Sequence, residues 1–390
     1  MIGCTKLLCG TATVSEAMRE GTVPPHLLQF STDLRPVVVW NTTNRCNLSC
    51  RHCYLNAEDR SYAEELTTAE ARAMLADLAE MRCPVVLFSG GEPLLREDLY
   101  ELAKFALEGG LRPVLSTNGT LITPEVAARL AEVGMQYVGV SLDGLEETHD
   151  SFRGRPGAFQ AALTGLRNAA EAGLKTGVRF TVMGDNVQDL PRVIDLVAEA
   201  GIPRFCMYHL VYSGRGAELA AHDTDLATKR ATMDMLLAKT QELHDAGRAL
   251  EILTVDNPAD GRYLRASVAE RQPERLAEVD RLLELAGGCS AGTKLANVDS
   301  YGHVHACQFW GHVSLGNVKE RPLSDIWRAA DGGLLAELRY KQEHLQGRCA
   351  SCVAVASCGG CRVRAEAITG DRWAADPACY LSEAEIVGGG

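Results

Sequence analysis

Six short apolar runs alternate with helix-like segments between residues 36 and 212 of this chain. The apolar runs have the length and composition of strands and cover residues 36–41, 85–89, 113–117, 137–142, 177–183 and 204–211. Several helix-like segments begin at a capping signal, as at Thr67 and Thr123, and end at a glycine, as at Gly134. Strand–helix units in such a row predict an α/β fold in which helices cover a parallel sheet. The periodicity alone is compatible with either a barrel or a doubly wound sheet.

In a parallel α/β array, functional residues collect on the loops at the carboxyl ends of the strands. Three cysteines, Cys46, Cys50 and Cys53, follow the first predicted strand at the spacing C-x3-C-x2-C. Four thiolates would complete a [4Fe–4S] cluster, so three leave one iron open to a non-protein ligand. Zinc fits poorly because it prefers a fourth protein ligand and paired C-x2-C units. The spacing therefore favours an iron–sulfur cluster with one open iron.

Other bulk features exclude several classes of function. The formal charge of −12 argues against nucleic-acid binding, which needs a basic surface. No apolar stretch approaches the roughly 18 residues that a membrane span needs, and the N-terminus lacks the pattern of a secretory signal. Fourteen cysteines in such a chain predict a reducing, cytoplasmic location. Of these, Cys4, Cys9, Cys83 and Cys206 are predicted to be small buried residues.

The run from Cys46 to Tyr54 resembles the cysteine loop of the radical S-adenosylmethionine (SAM) enzymes, in which an aromatic residue typically follows the third cysteine. The resemblance implies a partial (β/α)6 radical SAM barrel with a SAM-binding [4Fe–4S] cluster. In that family the open iron binds the amino and carboxylate groups of SAM. An electron from the cluster cleaves SAM to methionine and a 5′-deoxyadenosyl radical, which abstracts a hydrogen atom from the substrate.

The same resemblance implies a set of SAM contacts at the ends of later strands. The segment from Gly90 to Pro93 resembles the family's G-G-E-P motif, in which Glu92 would help to hold the amino group of SAM. An ordinary strand-to-helix turn is the alternative interpretation. Arg179 could pair with the SAM carboxylate or with a neighbouring acid. The implied cofactor-binding residues are Tyr54, Gly90, Gly91, Glu92, Asn118, Ser141 and Arg179.

Residues 287–390 contain seven of the fourteen cysteines and resemble the SPASM extension of radical SAM enzymes, which houses auxiliary clusters. One departure is that two residues separate the last C-x-x-C pair, where three are commoner. The resemblance implies one auxiliary [4Fe–4S] cluster on Cys349, Cys352, Cys358 and Cys379. A second, three-thiolate cluster would use Cys289, Cys307 and Cys361. Structural zinc is the alternative for the first set, since C-x2-C pairs suit zinc equally well.

These patterns divide the chain into four predicted parts. Residues 1–35 form an N-terminal extension, 36–250 the radical SAM core, 251–286 a helical linker, and 287–390 the SPASM-like domain. Within the core, 226–250 reads as one long helix because apolar residues recur at three- and four-residue steps.

A finer resemblance concerns the substrate. Six segments resemble the AhbC/NirJ group, whose members act on sirohaem-derived tetrapyrroles: 1–10, 27–31, 36–41, 205–216, 307–310 and 361–365. The resemblance implies removal of acetate side chains from 12,18-didecarboxysirohaem to give iron-coproporphyrin III. Haem d1 synthesis, modification of a ribosomal peptide and a non-enzymatic iron–sulfur carrier are the alternatives. About 35 residues before the barrel are too few for the usual peptide-binding wing. A low-potential flavodoxin or ferredoxin type of electron donor is expected.

A haem-like ring with several carboxylates needs arginines, aromatic walls and an axial iron ligand. Arg215 and either Arg362 or Arg364 are candidate carboxylate clamps. The candidate ring contacts are Tyr208, Tyr212, Phe309 and Trp310. His209 is the preferred axial ligand, ahead of His303, His305 and His312. For each histidine a hydrogen-bonded structural role is the alternative interpretation.

Overall fold

The computed structural model describes residues 1–11, 35–329 and 332–388. Its described strands form a single eleven-stranded sheet. In chain order the strands are β1 (Ile2–Gly3), β2 (Val37–Asn41), β3 (Val86–Ser89), β4 (Pro113–Thr117), β5 (Val138–Ser141), β6 (Thr176–Val182), β7 (Arg204–His209), β8 (Glu251–Val255), β9 (Leu295–Val298), β10 (His303–His305) and β11 (Gly316–Asn317). The segment 27–31, which contributed to the substrate resemblance, lies outside the described residues.

Helices follow the strands and cover the sheet. The described α-helices are Cys4–Cys9, Thr68–Glu80, Leu99–Glu108, Pro124–Glu132, Glu146–Arg153, Ala158–Glu171, Leu190–Glu199, Leu226–Asp245, Ala259–Arg271, Leu276–Ala286, Leu323–Arg328, Gly333–Arg339, Gly347–Ala350, Arg362–Thr369 and Glu383–Val387. The cap predicted at Thr67 is a full capping box, in which Thr67 and Glu70 satisfy each other's backbone N–H groups. Among the helices of the described residues, none has the length and apolar character needed to cross a membrane.

The strand order is β1-β8-β7-β6-β5-β4-β3-β2-β9-β10-β11, and strands β2 to β8 pair in parallel with their neighbours. Six of these strands, β2 to β7, are those predicted from the apolar runs. The parallel sheet and the partial-barrel architecture predicted for the core are therefore confirmed. As in other α/β folds, the carboxyl ends of these strands meet at one edge.

Two of the predicted parts need correction. Residues 251–286 were expected to form a helical linker, but the first five form β8 and pair with β7. The long helix ends at Asp245, because Gly247 adopts a left-handed conformation (φ 68°) and breaks the apolar periodicity. The N-terminal segment also joins the core, because β1 pairs antiparallel with β8.

The C-terminal region extends the core sheet. Strand β9 pairs in parallel with β2, and β10 and β11 continue as antiparallel strands. Phe309, two residues after Cys307, reaches the first cysteine loop, since its ring lies edge-on to that of Tyr54 with 5.3 Å between the centroids.

Candidate active site

A cavity with about 1020 Å³ of empty space, including the part open to solvent, lies at the carboxyl edge of the parallel strands. Thirteen of the residues singled out from the sequence analysis as cluster, SAM or substrate candidates line it: Cys46, Cys50, Cys53, Tyr54, Gly90, Gly91, Asn118, Ser141, Arg179, Tyr208, His209, Arg215 and Phe309. They come from the loops after β2, β3 and β4, from the end of β5, from β6, from β7 and the loop after it, and from the segment after β10. The fold thus gathers residues that are up to 263 positions apart in the sequence into one wall.

The cysteine loop is held by backbone contacts that leave its thiols available. The Cys46 N–H donates to the Glu58 carbonyl (3.0 Å), and the Arg215 N–H donates to the Cys53 carbonyl (2.9 Å). The Arg215 side chain also donates through Nε to the Cys50 carbonyl (2.8 Å). All three cysteines are free of disulfides, and burial raises the pKa of Cys46 to about 12. A metal that binds here must therefore displace the thiol protons.

Arg153 is a site residue that the sequence analysis missed. Its Nη1 lies 3.4 Å from the Sγ atom of Cys50, and its guanidinium forms a buried ion pair with Asp143. Asp143 also accepts a hydrogen bond from the Thr181 N–H (2.7 Å). Burial favours a higher pKa for Asp143, but the charges of Arg153 and His52 outweigh it and lower that pKa. A fixed positive charge therefore lies beside one of the three thiols, where it favours the thiolate form.

Gly90 and Gly91 form a close backbone cradle against the segment that leads into the cysteine loop. A Cβ atom on Gly91 would lie 2.2 Å from the Arg45 carbonyl oxygen, and one on Gly90 would lie 2.6 Å from that of Thr43. Gly90 also has a φ of 125°, which side-chain-bearing residues rarely adopt. The Gly91 N–H donates to the Thr43 carbonyl (2.7 Å). Glycine is required here because any side chain would push the two segments apart.

We expect Gly91→Ala to displace the cysteine loop, because the new methyl group would overlap the backbone of Arg45. Overpacking of this kind costs about 1–3 kcal/mol of unfolding free energy. The expected result is weaker SAM binding, measured by equilibrium dialysis on the anaerobic, iron-loaded protein. Gly311→Ala is the matched control, since a Cβ there meets nothing within 4 Å. Equal SAM affinity in both variants would contradict the conclusion that glycine is required at position 91 to hold the cysteine loop in place.

The structure corrects the role expected for Glu92. This side chain is fully buried (0% exposed), and its carboxylate accepts hydrogen bonds from the Leu94 N–H, the Thr117 hydroxyl and the Asn118 N–H. Burial raises its pKa in spite of these donors. Glu92 lies outside the cavity wall and holds the loops after β3 and β4 together. The cavity is instead lined there by Gly90, Gly91 and Asn118.

Asn118, Ser141 and Arg179 lie in the wall as the resemblance implied. The Asn118 Nδ2 donates to Asn47 (2.8 Å) in the cysteine loop and lies 4.0 Å from the Sγ atom of Cys46. The Arg179 guanidinium donates to the Ser116 hydroxyl and stacks over the Tyr208 ring (4.7 Å to the centroid). Arg179 has no carboxylate partner among the described side chains, so it can bind an anionic group of a ligand.

Trp310, Arg362 and Tyr212, three of the substrate candidates, need correction. Trp310 is fully buried and donates its indole N–H to Glu366, so it is a core residue. Arg362 is also fully buried and donates to the carbonyls of Arg372 and Ala374. Tyr212 donates to Asp223 (2.8 Å). None of these three lines the cavity within the described part of the chain, whereas Tyr208 and Phe309 do.

Arg364, the other candidate for binding a substrate carboxylate, joins the C-terminal region to the barrel instead. It is fully buried, pairs with Asp376 through both Nε and Nη2, and donates to the Leu210 and Asp256 carbonyls. Arg215 differs, because it contacts the cysteine loop and also lines the cavity. Its Nη2 has no hydrogen-bond partner and remains available to a ligand.

Asp256 is a second residue that the sequence analysis missed. It follows β8 in a left-handed conformation (φ 69°), lines the cavity, and has an Oδ2 atom without a hydrogen-bond partner. Burial raises its pKa to about 6. The sequence analysis assigns 251–286 to a helical linker, and this assignment does not place Asp256 at the end of a strand.

The C-terminal cysteines form two groups. Cys349, Cys352, Cys358 and Cys379 line a second, smaller cavity, as expected for one cluster. Arg362 contributes there, since its Nη2 lies 3.9 Å from the Sγ atom of Cys349. Cys307 lies near the other two: its pKa is raised well above the usual value by burial and then by the charges of Cys289 and Cys361. These seven cysteines and the three of the cysteine loop are free of disulfides, and thiolate is the ligand type that iron–sulfur clusters require.

Comparison with known proteins agrees with this chemistry. A family model described as the radical SAM superfamily matches residues 40–212, and one described as the SPASM iron-sulfur cluster-binding domain matches residues 289–353. The chain is 51% identical over 394 residues to Fe-coproporphyrin III synthase of Methanosarcina barkeri, covering 99% of each chain. It is 44% identical over 365 residues to pre-heme d1 synthase of Dinoroseobacter shibae, covering 93% of this chain and 90% of that protein.

The fold also matches a solved structure. SuiB of Streptococcus suis, in a crystal structure bound to S-adenosylmethionine, superposes with a TM-score of 0.70 at 21% identity. The match covers 89% of this chain and 78% of SuiB. It supports the architecture of the barrel and the C-terminal extension.

Proposed function

Because the chain belongs to the radical SAM superfamily and carries its SPASM extension, we propose that it removes acetate side chains from 12,18-didecarboxysirohaem to give iron-coproporphyrin III. The observation that carries this proposal is the 51% identity with an Fe-coproporphyrin III synthase over 99% of both chains. An alignment of that extent spans the segments that form the cavity wall as well as the cysteine loop, and this supports a shared substrate class.

A radical SAM domain binds a [4Fe–4S] cluster and SAM, and a SPASM domain binds auxiliary iron–sulfur clusters. Cys46, Cys50 and Cys53 would hold the first cluster, and when bound it would supply the electron that converts SAM to a 5′-deoxyadenosyl radical. The chain positions these groups. Arg153 places a positive charge beside Cys50, the glycine cradle holds the segment that leads into the cysteine loop, and Asn118, Ser141 and Arg179 provide polar contacts in the same wall.

The charge of the cavity suits a tetrapyrrole that carries several carboxylates. Arg179 and Arg215 line it without forming an ion pair with any described carboxylate. Tyr208 and Phe309 offer aromatic surface next to them. Asp256 is the one acidic side chain among the described lining residues. The free Nη2 of Arg215 can therefore anchor a propionate or acetate group while the aromatic rings contact the macrocycle.

The test is anaerobic incubation of the iron-loaded protein with SAM, a strong reductant and 12,18-didecarboxysirohaem. We expect iron-coproporphyrin III and 5′-deoxyadenosine to form together, measured by liquid chromatography with mass spectrometry. Product formation should stop when either SAM or the reductant is left out. SAM cleavage without any change in the tetrapyrrole would refute the proposed substrate and leave the radical chemistry in place.

A haem d1 type of reaction is the second candidate, supported by the 44% identity with pre-heme d1 synthase. The same incubation separates the two, because the products differ in mass. For the electron supply we propose a low-potential donor of the flavodoxin or ferredoxin type. Replacing the chemical reductant with a reduced flavodoxin should then sustain product formation, and a complete failure of both protein donors would contradict this part of the proposal.

A further inference from the structure

A buried chain of three polar side chains ends in the cavity wall. The Tyr380 hydroxyl donates to Asp260 Oδ1 (2.7 Å), and Asp260 Oδ2 lies 3.0 Å from Nε2 of His209. His209 is 2% exposed, Asp260 is 0% exposed and Tyr380 is 5% exposed. His209 lines the cavity, and its other ring nitrogen, Nδ1, has no hydrogen-bond partner. The chain therefore ends in an unpartnered nitrogen on a residue of the cavity wall.

The partners determine which nitrogen of His209 carries the proton. Asp260 accepts a hydrogen bond at Oδ1 from the Tyr380 hydroxyl, so Oδ2 is the oxygen left for His209. The second carboxylate oxygen then accepts a hydrogen bond from the Nε2–H group of His209. A doubly protonated ring would leave an N–H at Nδ1 buried without an acceptor, which is costly. The neutral ring leaves an electron pair on Nδ1.

This arrangement is typical of histidines that ligate a metal, because such residues donate their other ring N–H to a carboxylate. A structural histidine, in contrast, normally has both nitrogens satisfied when buried. His305 illustrates this, since Nδ1 contacts the Val313 carbonyl (2.8 Å) and Nε2 contacts Asp299 (3.4 Å). His303, His305 and His312, the other histidines considered as axial ligands, do not line the cavity within the described residues.

His52 is the remaining histidine in the wall with an unpartnered Nδ1. It lies within the cysteine loop, between Cys50 and Cys53, where the cluster and SAM need the space. His209 lies instead at the end of β7, next to Tyr208 and Leu210 and close to the wall formed by Phe309. Of these two histidines, His209 is the one that lies on the side of the cavity where the aromatic and arginine side chains would contact the tetrapyrrole.

We propose that Nδ1 of His209 ligates the iron of the bound tetrapyrrole, with Asp260 and Tyr380 acting as positioning residues that fix its tautomer. This inference rests on the proposed function, because it requires an iron tetrapyrrole as substrate. It also connects two parts of the molecule. Tyr380 directly follows Cys379, which lines the second cavity, so the segment that carries a cluster cysteine also orients the substrate ligand.

The test measures binding of ferric iron-coproporphyrin III to the anaerobic, cluster-loaded protein by Soret absorption and electron paramagnetic resonance. The wild type is expected to show a histidine-ligated iron. His209→Ala and His209→Gln should lose that signal, and added imidazole should restore it in the alanine variant. Affinity for iron-free coproporphyrin III should stay within about twofold, because the ring and carboxylate contacts remain.

Asp260→Asn should retain the ligand but lower the affinity for the iron form by about 10–100-fold, as changes to residues that orient a metal-binding histidine do. Tyr380→Phe should act in the same direction and more weakly. His312→Ala is the matched control, since that side chain is 65% exposed and pairs with Glu366 away from the cavity. Iron content per chain, measured in each variant, shows that the clusters are intact.

An unchanged iron spectrum in both His209 variants would overturn the assignment while leaving the proposed function standing. A wild-type protein that binds neither the iron nor the iron-free tetrapyrrole would overturn the proposed function and the assignment with it.

Discussion

Replacing Cys50 with alanine is expected to abolish reductive cleavage of SAM. Two thiolates cannot hold a [4Fe–4S] cluster in the open form that SAM needs. The change also leaves the buried Arg153 without its sulfur partner, although the ion pair with Asp143 remains. We expect no 5′-deoxyadenosine above the level of a SAM-free reaction, and iron content lower by the content of one cluster. Product chromatography and iron quantification on anaerobically purified protein measure the two effects.

Cys83→Ala is the matched control for this experiment. Cys83 is also a buried free cysteine (2% exposed), and burial raises its pKa to about 12, but it lines neither cavity. It should retain SAM cleavage and full iron content. Substantial 5′-deoxyadenosine formation by Cys50→Ala would mean that another thiol serves the open cluster, and the assignment of this loop would be wrong.

Arg364→Met is expected to give the largest loss of stability among the arginine variants considered for this chain. The guanidinium neutralises Asp376, and both groups are essentially fully buried (0% and 1% exposed side chains). Removing one partner of a buried ion pair leaves an uncompensated charge and costs about 3–5 kcal/mol of unfolding free energy. Asp376 also accepts a hydrogen bond from the Cys361 N–H (2.7 Å), so retention of the auxiliary clusters should fall as well.

The measurement is thermal unfolding of the anaerobic, cluster-loaded protein together with its iron content. Arg230→Met is the matched control, because it breaks an ion pair with Glu385 in which the arginine side chain is 39% exposed. Exposed pairs of this kind contribute about 0–1 kcal/mol. Equal melting temperatures for the two variants would show that the buried Arg364–Asp376 pair does not stabilise the C-terminal region.

Much of the site could be predicted from the sequence because its motifs are local. The spacing of Cys46, Cys50 and Cys53 within one short loop determines that three thiols converge whatever the rest of the chain does. Gly90 and Gly91 were recognisable for a similar reason, since glycines directly after a strand indicate a close backbone approach. The six strands from β2 to β7 were predictable because each is a short apolar run, and the helices between them begin at capping residues and end at glycines. These are properties of short segments.

Predictions about single side chains succeeded less often, because residue type alone does not state which partner a side chain meets. Arg362, Arg364 and Trp310 were assigned to the substrate on the chemistry of their side chains. The structure places all three in the interior, with carbonyls or carboxylates as their hydrogen-bond partners. Glu92 has the right position in the motif, but three donors from its own and the adjacent strand loop occupy its carboxylate.

By itself, the sequence determined the class of fold and the loop that brings Cys46, Cys50 and Cys53 together, since these depend on patterns within short segments. Only the tertiary structure brought Arg153 to Cys50 across 103 positions, Asp260 to His209 across 51, and Tyr380 to Asp260 across 120. These contacts have no sequence period or spacing. They arise because the parallel strands end at one edge and the C-terminal region packs against β7 and β8, and burial there requires each polar group to find a partner.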